Sequence, residues 1–87
     1  MTELSALEIL EKLVSFPTVS DRSNLELIDW VENYLNSFHI KTYRKYNEDS
    51  SKASLFAHVG PQIEGGVVLS GHTDVVPVEG QDWDTDP

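Results

Sequence analysis

The sequence predicts an α/β fold in which two amphipathic helices are followed by about three strands. Two observations carry this prediction: apolar residues recur at helical spacing in the first half, and short strand-like apolar runs fill the second. Helices that flank a sheet are characteristic of α/β proteins. The 87 residues fit one small domain, which can bury only a modest core.

The first helix is predicted from an apolar stripe of Leu4, Leu7, Leu10 and Val14. Ser5 and Glu8 have the spacing of a capping box, and Thr2 is an alternative cap. The helix should end before Phe16-Pro17, because the residue that precedes a proline is driven out of helical geometry.

The second helix should begin after a cap at Ser20 or Ser23, and Ser23 with Glu26 again fits a capping box. Its apolar stripe runs to about residue 39 and consists of Leu27, Ile28, Val31, Leu35 and Phe38. His39 follows the helix, where a left-handed backbone conformation is common and is only moderately tolerated by histidine.

Three segments have the character of strands. Ile40 to Tyr46 alternates roughly, which suits a partly exposed strand, with an edge position as one option. A polar turn over 47–51 leads to a second strand, Ala53 to Val59. Val67 to Gly71 is a continuous apolar run, which is typical of a strand covered on both faces.

Composition excludes several classes of function. The formal net charge is -9 with only six Lys and Arg, which argues against nucleic-acid binding because each phosphate contact needs a cation. There are no cysteines, so any metal must be held by nitrogen and oxygen ligands. No run approaches the roughly 20 apolar residues of a membrane span, and no secretion signal is visible, so the expected location is the cytoplasm.

The residues that could bind a metal or take part in catalysis follow the predicted buried strand, in the segment Ser70 to Pro77. Ligands collect at the carboxyl ends of strands in open α/β sheets, which makes His72 a candidate metal ligand. Asp74 lies two residues on and could orient the imidazole through its other ring nitrogen. Spacing alone favours the simpler interpretation of a capped turn, because His-x-Asp is short and frequent by chance.

Other polar and aromatic residues are interpreted structurally. His58 is expected to be a partly buried structural histidine, and Trp30 should pack at the margin of the core. Trp83 is expected to pack against the protein, with a place near a substrate mouth as the alternative. A solvated acidic loop is formed by Glu79, Asp82, Asp84 and Asp86.

The longer string Gly71-His72-Thr73-Asp74-Val75-Val76-Pro77-Val78, with Trp83 and Asp86-Pro87, resembles the acetylornithine deacetylase and succinyl-diaminopimelate desuccinylase family of metallohydrolases. Phe16 to Ser20 is similar to a helix-ending segment of the same family. The resemblance implies that residues 1–87 form the N-terminal part of a zinc-exopeptidase-like catalytic domain. The rest of that domain and a lid and dimerisation domain would lie beyond the chain, whose end at Gln81 to Pro87 looks abrupt.

The resemblance also implies a function. The family hydrolyses the amide bond of small N-acyl amino acids with two zinc or cobalt ions, and full-length members are expected to be homodimers. Its pattern makes His72 a ligand of one metal and Asp74 a catalytic residue that supports that ligand, with the other ligands and the general base beyond residue 87.

Within the family, Val76 to Trp83 most resembles the acetylornithine deacetylase branch. A desuccinylase, an aminoacylase or a carboxypeptidase of the same family is an alternative. So is a non-catalytic module, which would associate through its exposed apolar face.

Overall fold

The computed structural model describes residues 2–87 and contains two helices and one hairpin. Helix α1 spans Ala6–Val14 and helix α2 spans Leu25–Asn36. Strands β1 (Thr42–Tyr46) and β2 (Ala53–Ala57) form a two-stranded antiparallel sheet. The predicted α/β class is therefore confirmed at this level.

Helix α1 begins with the capping box that the sequence predicts, and the cap is Ser5 rather than Thr2. The Glu8 backbone N–H donates to Ser5 Oγ at 3.1 Å, and the Ser5 N–H donates to Glu8 Oε1 at 3.0 Å. The Ser5 backbone N–H, and then its hydroxyl, lower the pKa of Glu8 by stabilising the carboxylate. These reciprocal bonds satisfy two backbone donors at the start of the helix.

The face that α1 turns to the core differs from the predicted one. Leu7, Leu10 and Val14 are exposed, whereas Leu13 and Phe16 pack against the buried residues. Ile9, Leu13 and Phe16 also follow helical spacing, so the segment carries a second apolar stripe. Periodicity alone cannot choose between two apolar stripes on one helix, and packing selects the one around Leu13.

Helix α2 does not use either predicted serine as its N-cap. The N-cap residue is Asn24, whose side chain makes no capping bond within the helix. Its amide pairs instead with the backbone of Ala53: Nδ2 donates to the Ala53 carbonyl, and the Ala53 N–H donates to Oδ1, both at 2.9 Å. Asn24 thus joins the start of α2 to the start of β2, and its side chain is not available to cap the helix.

The core lies between α2 and the hairpin. Its buried apolar residues are Leu27, Ile28 and Ala53, and Val31 packs against them, so this part of the stripe predicted for α2 faces inward. The stripe does not run to residue 39: α2 ends at Asn36, and Phe38 is exposed. Trp30 is half-buried and stacks on Tyr34 with ring centroids 5.5 Å apart.

The hairpin matches the prediction, with Thr42 opposite Ala57 and Tyr46 opposite Ala53 across the turn. Arg44 of β1 reaches α2, where its Nη2 lies 2.5 Å from Asp29 Oδ1 and 3.0 Å from Glu32 Oε1. These carboxylates raise the pKa of Arg44, Asp29 foremost through its hydrogen bond. The ion pairs fix the helix across the sheet.

The third predicted strand is absent from the described residues. Val67, Val68 and Leu69 are 86%, 81% and 93% exposed and belong to no strand. A strand with two apolar faces is stable only when neighbours pair with its edges and other elements cover its faces. The described residues supply neither, and the predicted strand is therefore wrong for this structure.

The end of α2 has the left-handed residue that the sequence predicts. His39 has a φ of 62°, its N–H donates to the Asn36 carbonyl, and the Ile40 N–H donates to the Leu35 carbonyl. This pair of bonds is the Schellman motif, whose left-handed position is most often glycine. A Cβ in this conformation is strained, because it approaches the following carbonyl oxygen.

We therefore expect His39→Gly to raise the free energy of unfolding by about 0.5–1 kcal/mol, since it relieves that strain. Urea denaturation of the two proteins measures the difference. His39→Ala is the matched control, because it removes the imidazole but keeps Cβ, and its stability should stay close to that of the unchanged chain. Equal stabilisation by alanine and glycine would show that the backbone conformation is not the cause.

Candidate functional site

Residues 18–20 pair with residues 73–75 and thereby position the candidate site. Val19 and Val75 form a parallel bridge. The Val75 N–H donates to the Thr18 carbonyl at 3.0 Å, and the Ser20 N–H donates to the Val75 carbonyl at 2.9 Å. The linker between the two helices thus holds a segment more than 50 residues further along the chain.

Thr18 strengthens this pairing through its side chain. Thr18 is only 5% exposed, and its hydroxyl donates to the Thr73 carbonyl at 2.6 Å. A buried hydroxyl without a partner is unfavourable, so this bond satisfies Thr18 and fixes the backbone between His72 and Asp74.

His72 and Asp74 are in direct contact, as their spacing suggested. His72 Nδ1 lies 2.8 Å from Asp74 Oδ1, and the Ser20 hydroxyl donates to Asp74 Oδ2 at 2.8 Å. Each carboxylate oxygen therefore has its own partner. The Ser20 hydroxyl and then the His72 ring lower the pKa of Asp74, because both stabilise its charged form.

This geometry determines what the imidazole can do. An ionised carboxylate only accepts hydrogen bonds, so neutral His72 must carry its proton on Nδ1 to make this contact. Its Nε2 then has a free lone pair, and among residues 2–87 it has no hydrogen-bond partner. The His72 side chain is 85% exposed. An exposed imidazole whose far nitrogen is held by a carboxylate is suited to bind a metal ion.

The described part of the chain does not complete a metal site. It contains no group of three or more His, Asp or Glu side chains that could hold an ion together. The acidic residues between 79 and 86 are all exposed, as expected for a solvated loop. Among residues 2–87, His72 is the histidine whose ring contacts a carboxylate.

Two of the structural interpretations need correction. His58 is exposed rather than partly buried, although it does have a local role: its Nε2 lies 3.0 Å from the Pro61 carbonyl in the turn after β2. Trp83 is 54% exposed and its indole N–H donates to Gln81 Oε1 at 2.9 Å. Trp83 is therefore more than half exposed rather than packed.

A cleft of about 880 Å³ lies beside the candidate site, between α2, β2 and the segment Ser70 to Asp74. Its floor contains the apolar stripe of α2, including Leu27, Val31 and Leu35. Polar and charged side chains, among them Asn24, Lys45 and Lys52, line the rest of the cleft. His72 and Asp74 lie on its rim.

The similar proteins found by comparison with known proteins and described below all carry the same name. Acetylornithine deacetylase of Buchnera aphidicola (subspecies Acyrthosiphon pisum, strain Tuc7) is 35% identical over 91 aligned residues, which cover 95% of this chain. The enzyme of the same name from Pasteurella multocida is 38% identical over 90 residues. That from Vibrio parahaemolyticus is 30% identical over 89 residues, or 93% of the chain. The chain is a homologue of the acetylornithine deacetylases.

The resemblance given by the sequence motifs is thereby confirmed. The chain spans 23% of the length of the Buchnera and Pasteurella acetylornithine deacetylases and 22% of the Vibrio one. No family model matches the chain, and no solved structure matches it. Among residues 2–87, no helix has the length and apolar character to cross a lipid bilayer.

Sequence reasoning missed the parts of Thr18 and Ser20 in this site. Ser20 was a candidate helix cap, but its hydroxyl is bound to Asp74 instead. The available signal was the resemblance of Phe16 to Ser20 to the same family as the His72 motif, which marks both segments without showing that they touch.

Thr18→Val should lower the free energy of unfolding by about 1–2 kcal/mol, because valine keeps the shape but leaves the Thr73 carbonyl without its donor. Chemical denaturation followed by circular dichroism measures the loss. Thr85→Val, at an exposed position, is the control and should change stability by less than about 0.5 kcal/mol. A Thr18→Val protein as stable as this control would contradict the assigned role of the hydroxyl.

Proposed function

We propose that this chain is the N-terminal part of the catalytic domain of an acetylornithine deacetylase. The complete protein would have a zinc-exopeptidase-like fold and would hydrolyse the amide bond of N-acetylornithine to give ornithine and acetate, a step of arginine biosynthesis. The observation that carries this proposal is the His72–Asp74 contact, with Nε2 free, in a chain that is 35% identical to an acetylornithine deacetylase over 95% of its length.

His72 would bind one of two zinc or cobalt ions through Nε2. Its donor chemistry fits, because zinc and cobalt accept neutral imidazole and Nδ1 is already engaged by a carboxylate. When bound, such ions supply an acidified water and polarise the carbonyl of the substrate. Asp74 would keep the proton on Nδ1 and hold the ring in one orientation, and it would not bind the metal itself.

Ligand counting supports a longer protein. A catalytic zinc needs about three protein ligands, and residues 2–87 present His72 without a cluster around it. The other ligands and the general base would come from residues that follow this chain. We propose for the complete protein a cytoplasmic homodimer that acts on a small N-acyl amino acid, with neither nucleic acid nor membrane as a partner.

The first prediction from this proposal concerns metal binding. Titration of the chain with zinc, followed by the ring resonances of its histidines, should give weak binding that perturbs Nε2 of His72. His72→Ala should abolish this binding. His58→Ala is the matched control, because His58 is also exposed but its Nε2 is engaged with the Pro61 carbonyl, and it should leave binding unchanged. Binding that survives His72→Ala would contradict the proposed ligand.

The second prediction concerns activity of the complete protein. It should release acetate from N-acetylornithine faster than it cleaves N-succinyl-diaminopimelate or other N-acyl amino acids, and chelation should abolish the reaction. Asp74→Asn should lower its metal affinity about 10- to 100-fold, because the amide supports the Nδ1–H tautomer less well than a carboxylate. A metal-loaded protein that prefers another N-acyl substrate would disprove the substrate assignment and leave the ligand assignment to the zinc titration.

A further inference from the structure

Ser20 makes a contact that the proposed function does not require and that its position in the chain does not suggest. Its hydroxyl donates to Asp74 Oδ2 at 2.8 Å across a sequence separation of 54 residues. Asp74 Oδ1 is occupied by His72 Nδ1, also at 2.8 Å, which is closer than the 3.1 Å between the same nitrogen and the Asp74 backbone carbonyl. The carboxylate is therefore held at both oxygens, on one side by the candidate ligand and on the other by Ser20.

We propose that Ser20 is a positioning residue that acts through Asp74 to hold His72 as the Nδ1–H tautomer with Nε2 available for a metal ion. The inference rests on the proposed function, in which His72 is a metal ligand. It concerns residues that are all within this chain, and the tautomer can be measured in the absence of metal.

The side chain of Asp74 is free to rotate when only one of its carboxylate oxygens has a partner. Its side chain is 53% exposed, so water competes for both carboxylate oxygens. A half-exposed carboxylate with a single partner can rotate about its terminal torsion, which is broad for aspartate. The hydroxyl of Ser20 occupies the second oxygen, and the two contacts together select one rotation of the group.

The main chain of Ser20 is held in place by hydrogen bonds on both of its sides. Its N–H donates to the Val75 carbonyl at 2.9 Å, and its own carbonyl accepts from Lys52 Nζ. These bonds hold the Ser20 backbone, so the position from which its hydroxyl reaches Asp74 is fixed. A rigid supporting group is what keeps a ligand within the narrow range of orientations that metal binding needs.

The contact between Ser20 Oγ and Asp74 can be removed without disrupting the backbone pairing around it. The backbone pairing of residues 18–20 with residues 73–75 uses main-chain groups and the Thr18 hydroxyl, and none of these bonds involves Ser20 Oγ. Ser20 Oγ does lie 3.2 Å from the Val75 carbonyl, but the shorter contact is with the charged carboxylate. Ser20→Ala therefore removes the support for Asp74 while the pairing remains.

His58 provides an internal reference for the measurement. Its Nε2 lies 3.0 Å from the Pro61 carbonyl, and a carbonyl only accepts hydrogen bonds, so neutral His58 should carry its proton on Nε2. His58 and His72 should thus have opposite tautomers, so the spectrum of His58 is a reference for the Nε2–H form.

The experiment is long-range ¹H–¹⁵N NMR of the metal-free chain, labelled with ¹⁵N in its histidines, at about pH 8, where an ordinary imidazole is neutral. His72 should show Nδ1 as the protonated nitrogen. In Ser20→Ala its two ¹⁵N resonances should move toward each other, in the same direction as in Asp74→Ala. Ser20→Thr should restore the original spectrum because it retains the hydroxyl. Ser15→Ala, which removes a hydroxyl bonded only to the nearby Lys12 carbonyl, should change nothing.

A double-mutant cycle separates a positioning role from a merely structural one. If Ser20 acts through Asp74, then Ser20→Ala should have no further effect on the His72 resonances in a protein that already carries Asp74→Ala. In the complete enzyme, Ser20→Ala should weaken zinc binding about 3- to 10-fold, less than loss of the carboxylate that contacts the ring directly.

Several results would overturn the inference. They are an unchanged His72 tautomer in Ser20→Ala, a failure of Ser20→Thr to restore the spectrum, and a full additional effect of Ser20→Ala in the Asp74→Ala background. A wild-type His72 that shows the same tautomer as His58 would also overturn it. Failure of the proposed function looks different: the tautomer would respond to Ser20 as described, but His72→Ala would leave zinc binding by the complete protein intact.

Discussion

The parallel pairing of residues 18–20 with residues 73–75 is the constraint on which the candidate site depends. The helices and the hairpin are held by contacts that are local or close to α2, such as the ion pairs of Arg44 with Asp29 and Glu32. The segment from Val67 to Val78 has no such support, and most of its residues are exposed. The bonds from Thr18 and Ser20 give it a defined position, and they place His72 and Asp74 with it.

Much of the fold could be predicted because its determinants are local. The capping box of Ser5 and Glu8, the alternation of β1 and the left-handed residue at His39 each depend on a few neighbouring residues. Prediction was wrong where the determinant is tertiary. Asn24 bonds to Ala53 instead of capping its helix, and α1 packs Leu13, rather than its other apolar stripe, against the core residues of α2 and β2. The run Val67 to Gly71 has the pattern of a buried strand, but it is exposed and forms no strand among the described residues.

The candidate site divides in the same way. The contact between His72 and Asp74 follows from their separation of two residues, and the family resemblance identified both of them. Ser20 could not be found by spacing, because its partner is 54 residues away and the pairing that joins them is a single bridge rather than a regular ladder. The assignment of His72 as a ligand and of Asp74 as its support remains a prediction, motivated by an available Nε2 and by the homology with acetylornithine deacetylases.

The long separation between Ser20 and Asp74 also has a consequence for the order of folding. Helix turns and hairpins form within microseconds because they close short loops, whereas a contact across 54 residues must wait for a much larger loss of chain entropy. We therefore expect the pairing between residues 18–20 and 73–75 to form after the helix turns and the hairpin. On a ribosome, His72 would acquire its orientation only after the two helices and the hairpin had already emerged and assembled.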